Sequence, residues 1–385
     1  MIFSPAIGGG LAEHTFYQAR AFKSSGVEVR CLVADGFLEG RSLGFETWKG
    51  LFGPPAGSPG LMRKLKLVFQ IVANFWILAW QVAVRRPSLV LLDSYVEYAA
   101  PFWIWPHLLV ARCCGIQYAA NLHDPVRDHQ VGPGWWHRWS VWLAYRPLKF
   151  VLVHDALPEP SPVPSGVAVV QVPVGLYELG GKAVDAGSSR RKWGVKDGQS
   201  VFLAFGYIRD NKNLDLVIQA LADVPDAFLI IAGSVASSHD RPFSYYTALA
   251  SDVGVSERCN FSEGFVNDEE LGDYFNGSDY VVLTYAASFH SQSGVLNIAA
   301  RARKPVLASA GPGPLLESVR GFSLGVVVEP DSLPATVEGM KTLLASPPLP
   351  QWDAYEEAAS WAVNAKRILE AAGISHPAEG GDSAS

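Results

Sequence analysis

Short uninterrupted apolar runs alternate along the chain with longer segments in which apolar residues recur every three to four positions. A strand buried on both faces reads as a continuous apolar run, and a helix covering a sheet reads as a 3.6-residue period. The alternation therefore predicts parallel sheets flanked by helices. In the first half the predicted strands are Met1–Ser4, Val27–Val33, Leu89–Leu92, Tyr118–Leu122, Phe150–Val153 and Ala168–Val172. In the second half they are Ser200–Phe205, Ala227–Ala232, Cys259–Phe261, Tyr280–Leu283, Pro305–Ala308 and Leu324–Val328. Two such sets predict an α/β chain of two Rossmann-like, doubly wound domains facing a cleft. The polar stretch Tyr177–Lys196, with Ser188-Ser189-Arg190-Arg191-Lys192, reads as a linker plus a short surface element. It divides the chain into domains over 1–177 and 178–350. An amphipathic helix over 351–372 is expected to return to the first domain, and the Gly/Ser-containing tail 373–385 is expected to be disordered.

The longest apolar stretch, Leu67–Val84, is long enough to cross a bilayer. Gln70, Asn74 and Gln81 fall on one of its faces, so it reads as a helix packed on a sheet rather than a span. Composition agrees with two buried cores: 49% of the 385 residues are apolar and 18% charged. A net charge of −6 argues against a generic nucleic-acid binder. Cys31, Cys113, Cys114 and Cys259 form no CxxC pair and sit in apolar settings, so they read as buried, reduced thiols. No basic segment followed by a cleavable apolar run opens the chain, so a cytoplasmic protein is expected.

Eight of the twelve tryptophans lie between Trp76 and Trp142, and Gly134 to Pro147 interleaves Trp135, Trp136, Trp139 and Trp142 with Arg138 and Arg146. Rings beside cations suit the inner-leaflet membrane interface. An aromatic helix packed on the sheet, or rings stacking on sugars, are the alternatives.

Each half opens with a strand and a loop suited to anions. In the first, Gly8-Gly9-Gly10 leads into a helix from about Leu11. Glycines let backbone approach a ligand closely, and a helix N-terminus carries partial positive charge. Glu13 stands where a third fingerprint glycine would be, which weakens a dinucleotide site, and a plain tight turn is the alternative. In the second, Phe205-Gly206-Tyr207-Ile208-Arg209-Asp210-Asn211-Lys212 ends an apolar strand with glycine and brings two cations within six residues. Arg209 and Lys212 at a strand's carboxyl end can clamp a diphosphate. A second anion cradle is expected where a helix begins near Ser293, after Ser291-Gln292 and before Gly294-Val295.

These motifs resemble the retaining glycosyltransferases of family 4 (glycosyltransferase group 1), which have the GT-B fold. The likeness is carried by Gly206…Arg209…Lys212, by Asp268-Glu269-Glu270-Leu271…Tyr274-Phe275…Asp279-Tyr280, and by Gln292-Ser293-Gly294-Val295-Leu296 with Lys304-Pro305-Val306. Ser4-Pro5…Gly8-Gly9-Gly10…His14 and Asn121-Leu122-His123-Asp124 match more loosely. The resemblance implies a nucleotide-diphosphate sugar as donor and a glycan or lipid-linked acceptor. Arg209 and Lys212 would neutralise the pyrophosphate, assisted by Ser291, Gln292, Ser293, Gly294 and Val295. Gly9 and Gly10 would close on it from the other half, and Phe265 and Val266 would border the nucleobase. Glu317 would contact the donor, with a helix cap as the equal alternative, and His123 would act beside the transferred sugar.

Two departures stand out. His290 and Ile298 occupy the places of two family glutamates, leaving the ribose contact to another residue such as Asn297. Tyr207 stands where an arginine often follows the motif glycine. Cations and helix amides aimed at the leaving diphosphate would stabilise charge without a metal or other cofactor. A nucleotide-sugar epimerase on the same fold, or a non-catalytic glycosyltransferase-like scaffold, are the competing functions.

Overall fold

The computed structural model describes residues 1–55, 61–123, 132–154, 157, 161, 163–178, 186–237, 239–264, 266 and 268–374. Asp124, Phe265 and the tail beyond 374 lie outside the described residues. The chain divides into two compact units, Met1–Gly175 with Ser360–Ser385, and Leu176–Ala359.

In the first unit the strands are β1 (Ile2–Ser4), β2 (Arg30–Ala34), β3 (Glu46–Leu51), β4 (Leu89–Leu92), β5 (Gln117–Leu122), β6 (Leu148–Val153) and β7 (Ala168–Gln171). They form one parallel sheet in the order β3-β2-β1-β4-β5-β6-β7. Its helices are α1 (Gly9–Ser24), α2 (Leu61–Arg85), α3 (Ala100–Cys114) and α4 (Gly134–Ala144). β3 is absent from the predicted set because Glu46-Thr47-Trp48-Lys49-Gly50-Leu51 is an edge strand exposed along much of its length, with no apolar run.

The second unit contains β8 (Ser200–Phe205), β9 (Ala227–Gly233), β10 (Cys259–Glu263), β11 (Tyr280–Thr284), β12 (Val306–Ser309) and β13 (Gly325–Val327). Its parallel order is β10-β9-β8-β11-β12-β13. Its helices are α5 (Ala186–Trp193), α6 (Leu214–Ala220), α7 (Phe243–Asp252), α8 (Asp268–Gly277), α9 (Gly294–Arg301), α10 (Pro314–Gly321), α11 (Leu333–Ala345) and α12 (Trp352–Ala358). The continuous apolar runs are central strands covered on both faces, and all seven residues of β9 are buried. Both sheets reverse strand order once, between β1 and β4 and between β8 and β11. At such switch points the loops leave in opposite directions and open a crevice at the strands' carboxyl ends.

The short surface element read at Ser188–Lys192 is part of α5, held by Arg190, which donates to Asp279 Oδ1 at 2.6 Å, and by Trp193, which stacks on Tyr274. Two expectations change. The helix expected over 351–372 is two helices, α12 in the second unit and α13 (Trp361–Ala372) in the first, because Ser360 caps a new helix start by accepting from the Val363 amide. Cys113 and Cys114 are exposed at the end of α3 rather than buried. α13 buries Ala365, Ile368, Leu369 and Ala372 in the first unit's core, beside α1.

Candidate active site

In the second unit the site is built where β8 stops. Gly206 has φ 89°, a left-handed conformation that suits glycine, and a Cβ there would sit 3.7 Å from Val295 Cγ2 and 3.9 Å from Lys212 Nζ. The next residues are pinned: the Ile208 amide donates to Ser234 at 2.9 Å and the Ala236 amide donates to Ile208 at 3.0 Å. Buried Ile208 thus anchors a segment from which Tyr207 and Arg209 project into solvent. Lys212 turns back, and its Nζ donates to the Phe205 carbonyl at 2.7 Å. Burial, aided by the charge of Arg209, lowers its pKa from 10.5 to about 8. Sequence reasoning brought Arg209 and Lys212 to one strand end, and the structure does so too.

The neighbouring loops are held by bonds that cross between them. Thr284 Oγ1 donates to the Lys212 carbonyl at 2.9 Å, and the Ala286 amide donates to the Asn211 carbonyl at 2.8 Å. Asp331 joins both loops, accepting from Asn213 Nδ2 at 2.8 Å and from the Ala287 amide at 2.9 Å. Sequence reasoning missed Asp331, which no motif marks. After Tyr285, stacked on Phe289, the chain enters α9 through Ser293. The buried Ser293 hydroxyl bonds the Tyr285 hydroxyl at 3.0 Å instead of capping its helix. Ser293 therefore leaves the first-turn amides at Gly294 and Val295 uncapped, which is what an anion needs from a helix N-terminus. Ser291 is exposed beside it, whereas Gln292 turns toward α10 and donates to Ser318 Oγ at 3.3 Å.

Other predicted contacts fall differently. Asn297 is buried and accepts from the Tyr355 hydroxyl at 2.7 Å, so it is a core residue and not a ribose ligand. Ile298 and Val266 are half-buried against the same core. His290 donates from Nδ1 to the Pro312 carbonyl at 3.0 Å and lies against Gly311. Glu317 is exposed in the first turn of α10.

In the first unit α1 starts at Gly9, two residues before the predicted Leu11. Gly9 has φ 74°, and nothing would lie within 4 Å of a Cβ at Gly9 or Gly10, so this loop is open. Three histidines converge at the sheet's carboxyl edge. His14 comes from α1, His123 follows β5 and His154 follows β6, with ring centroids 4.7 to 5.6 Å apart. Under them lies Asp93, fully buried one residue past β4. It accepts from Thr15 Oγ1 at 2.6 Å, His14 Nδ1 at 2.9 Å, Asn121 Nδ2 at 3.0 Å and His123 Nε2 at 3.2 Å. Burial alone would raise its pKa, but the imidazoles outweigh it and hold Asp93 well below the ordinary carboxylate range.

Burial also lowers His14, and it lowers His154 to about 3 with the help of its histidine neighbours, which leaves His154 neutral at pH 7. A carboxylate only accepts, so the neutral tautomer of His123 that bonds Asp93 carries its proton on Nε2 and leaves Nδ1 as an acceptor, on a side chain 25% exposed. The ligand nitrogens of the three histidines lie within 4.8 Å of one another, the group among the described residues able to gather a cation. Sequence reasoning named His123 but missed Asp93. The signal was Leu89-Val90-Leu91-Leu92-Asp93, a carboxylate ending a fully apolar run. A cavity lined by Met1, Arg30, Trp48, Arg85 and Ile374 lies at the opposite, amino end of this sheet, away from the histidines.

Residues 185–367 match the family model for glycosyl transferases group 1. The match spans a little under half of the chain. It includes the loop after β8 and the start of α9 just described. D-inositol 3-phosphate glycosyltransferase of Mycobacterium sp. (strain KMS) is 27% identical over 146 residues, 38% of this chain and 32% of that protein. An uncharacterized glycosyltransferase of Methanocaldococcus jannaschii is 26% identical over 159 residues, 40% of this chain and 38% of its own. The chain thus matches only about a third of the length of these curated relatives.

Among solved structures, Anabaena HepE in complex with UDP superposes with a TM-score of 0.68 at 15% identity, covering 96% of this chain and 98% of that one. A glycosyltransferase from Rickettsia africae gives 0.67 at 14%, covering 96% of each chain. These likenesses extend the fold, two doubly wound units of the GT-B class, to nearly the whole chain. A UDP-N-acetylglucosamine 2-epimerase shares it with a TM-score of 0.53 at 11% identity, covering 96% of this chain and 94% of that one, so the fold by itself does not choose the reaction.

Proposed function

We propose that this protein is a retaining, metal-independent glycosyltransferase. It moves a sugar from a nucleotide-diphosphate sugar to a glycan or lipid-linked acceptor, in polysaccharide or glycoconjugate biosynthesis at the cytoplasmic face of the membrane. One observation supports it: Lys212 and Arg209 lie with the start of α9, which Ser293 leaves uncapped, at the end of β8 inside the region that matches group 1, an arrangement suited to an anion.

Departure of a nucleoside diphosphate leaves negative charge on its oxygens. A preorganised ammonium, a guanidinium and helix amides stabilise that charge without reorganising water. Gly206 leaves room for the phosphate beside Lys212. On the acceptor side, His123 Nδ1 accepts a hydrogen bond from a sugar hydroxyl, and Asp93 fixes the tautomer that makes this possible. The donor's own phosphate takes the acceptor's proton, so no side chain of the protein serves as nucleophile.

A thermal-shift screen with UDP, GDP, ADP and TDP tests the grip, since a ligand stabilises the state it binds. Transfer or hydrolysis of the matching sugar nucleotide, with and without EDTA, then tests the reaction. Loss of turnover with EDTA would move the chemistry to an ion on the three histidines. Binding without turnover would favour a scaffold, a reading that Ile298 and the buried Asn297 make worth testing. Sugar epimerisation without transfer would favour the epimerase.

A further inference from the structure

Helix α2 is turned the opposite way from what its polar residues suggest. Asn74 is buried and chelates the Phe52 backbone, accepting from its amide and donating to its carbonyl, both at 2.8 Å. Phe75, Leu78 and Val82 enter the core on that side, while Phe69, Trp76 and Trp80 face out, 67%, 52% and 68% exposed. The side carrying Asn74, Phe75, Leu78, Ala79 and Val82 packs α2 along the unit, although an 18-residue window of it has a mean hydropathy of 1.8 and is 28% buried, which by length and composition would permit a span.

The outward apolar surface continues onto α3 and α4. Trp76 Nε1 donates to the Phe102 carbonyl at 3.1 Å, and the Phe102 ring lies 5.7 Å from Trp136. Trp105, Trp135, Trp139 and Trp142 are 40% to 61% exposed. At about 100 Å² for each half-exposed ring, the aromatics alone present on the order of 800 Å², beyond the largest patch of an ordinary monomer. Charge on these helices is one-sided. None of the three carries an aspartate or glutamate, while they hold Arg63, Lys64, Lys66, Arg85, Arg112 and Arg138. This stands against a chain whose net charge is −6.

We infer that the α2–α3–α4 face is a docking surface for an anionic phospholipid bilayer, with the tryptophans seated among the headgroups and the basic residues on lipid phosphates. Tryptophan beside arginine, as where Arg146 stands 4.2 Å from the Trp142 ring, is the chemistry of that interface. A second copy fits poorly. An isologous contact would bring this cationic face onto itself with no carboxylate on any of the three helices to pair. The inference rests on the glycosyltransferase reading only for its purpose, delivery of a lipid-linked acceptor.

The test is flotation of the full chain with large unilamellar vesicles of pure phosphatidylcholine, or of phosphatidylcholine with 30% phosphatidylglycerol. Partition into the anionic vesicles is expected, at least tenfold above the neutral ones and weakened by 0.5 M NaCl. Trp80→Glu with Trp105→Glu should abolish it, and Lys64→Gln with Lys66→Gln should lower it by about fivefold per charge. The thermal shift on nucleotide should be unchanged in both variants; this controls for folding and keeps donor binding a separate question. No partition into anionic vesicles would overturn the inference, as would partition that the variants leave intact. A concentration-dependent dimer by analytical ultracentrifugation, lost in the tryptophan variant and unaccompanied by vesicle binding, would assign the face to a second copy instead.

Discussion

Replacing Lys212 by methionine removes the ammonium and keeps most of the stem, so it isolates the charge. In the unliganded protein that charge is a liability. Its pKa falls from 10.5 to about 8, and at about 1.4 kcal/mol per pH unit the fold carries roughly 3 kcal/mol of strain against the charged form. This is an upper bound, because the residue as a whole is only half-buried although its ammonium is nearly enclosed. The bond to the Phe205 carbonyl returns about 1 kcal/mol. Lys212→Met without ligand should therefore range from unchanged to about 2 kcal/mol more stable.

The sign with pH follows. A lysine whose folded pKa is depressed destabilises the fold while charged, so the wild type gains stability as pH rises from about 8 toward 10.5. The variant should lack that increment. With ligand the balance reverses, since a charge-assisted bond to phosphate is worth about 1.5–3 kcal/mol, or about 10- to 150-fold in affinity. Scanning fluorimetry at pH 7 and 9.5, and calorimetric titration with the nucleoside diphosphate that shifts the wild type most, measure both effects. A variant that melts several degrees lower and binds that nucleotide as tightly as the wild type would show Lys212 to be a prop for β8, and the donor grip would fall with it.

Wild-type nucleotide affinity should fall by up to about tenfold per pH unit above about 8, as Lys212 loses the proton that binds phosphate; titrations at fixed ionic strength check this. Gly311→Ala should weaken nucleotide binding more than it weakens the fold. A Cβ there would meet the Ala287 carbonyl and the His290 ring, displacing the loop that leads to Ser293; comparing Kd with Tm separates the two effects. Asp93→Asn should lower stability by about 2–4 kcal/mol in denaturant titration, because the anion that gathers donors from Ser4, His14, Thr15, Asn121 and His123 is gone, whereas His123→Ala, at a side chain 25% exposed, should cost turnover with little change in stability. Asp331→Asn keeps a residue that tolerates the local φ of 58° but replaces one of the two acceptor oxygens that join the loops by a donor, so nucleotide affinity should drop about fivefold with a nearly unchanged melting point.

What the sequence made legible follows from how far each signal reaches along the chain. β8, β9, β11 and β12 announce themselves because a strand covered on both faces must be apolar throughout. The start of α9 does so because serine and glycine before an amphipathic run have a local cause. Edge strand β3 has no such requirement and was invisible. Asp93 and Asp331 act on partners that the chain order separates by 28 to 118 residues, so no spacing rule could bring them together. Asn297 misled for the same reason: beside the anion cradle in sequence, it points to Tyr355, which arrives 58 residues later.

Helix α2 shows a different limit. Its period fixed which residues share a face but not which face is inside, and the usual assumption placed Gln70, Asn74 and Gln81 in water. The fold spends Asn74 on the backbone of Phe52 instead, and that one buried amide turns Phe69, Trp76 and Trp80 outward. A soluble protein with no partner for those rings gains nothing from this orientation, since three large apolar side chains lose about 1.5–3 kcal/mol each relative to burial. An orientation with that cost, on helices free of carboxylates, makes physical sense if something apolar and anionic covers the face, and a bilayer surface is both.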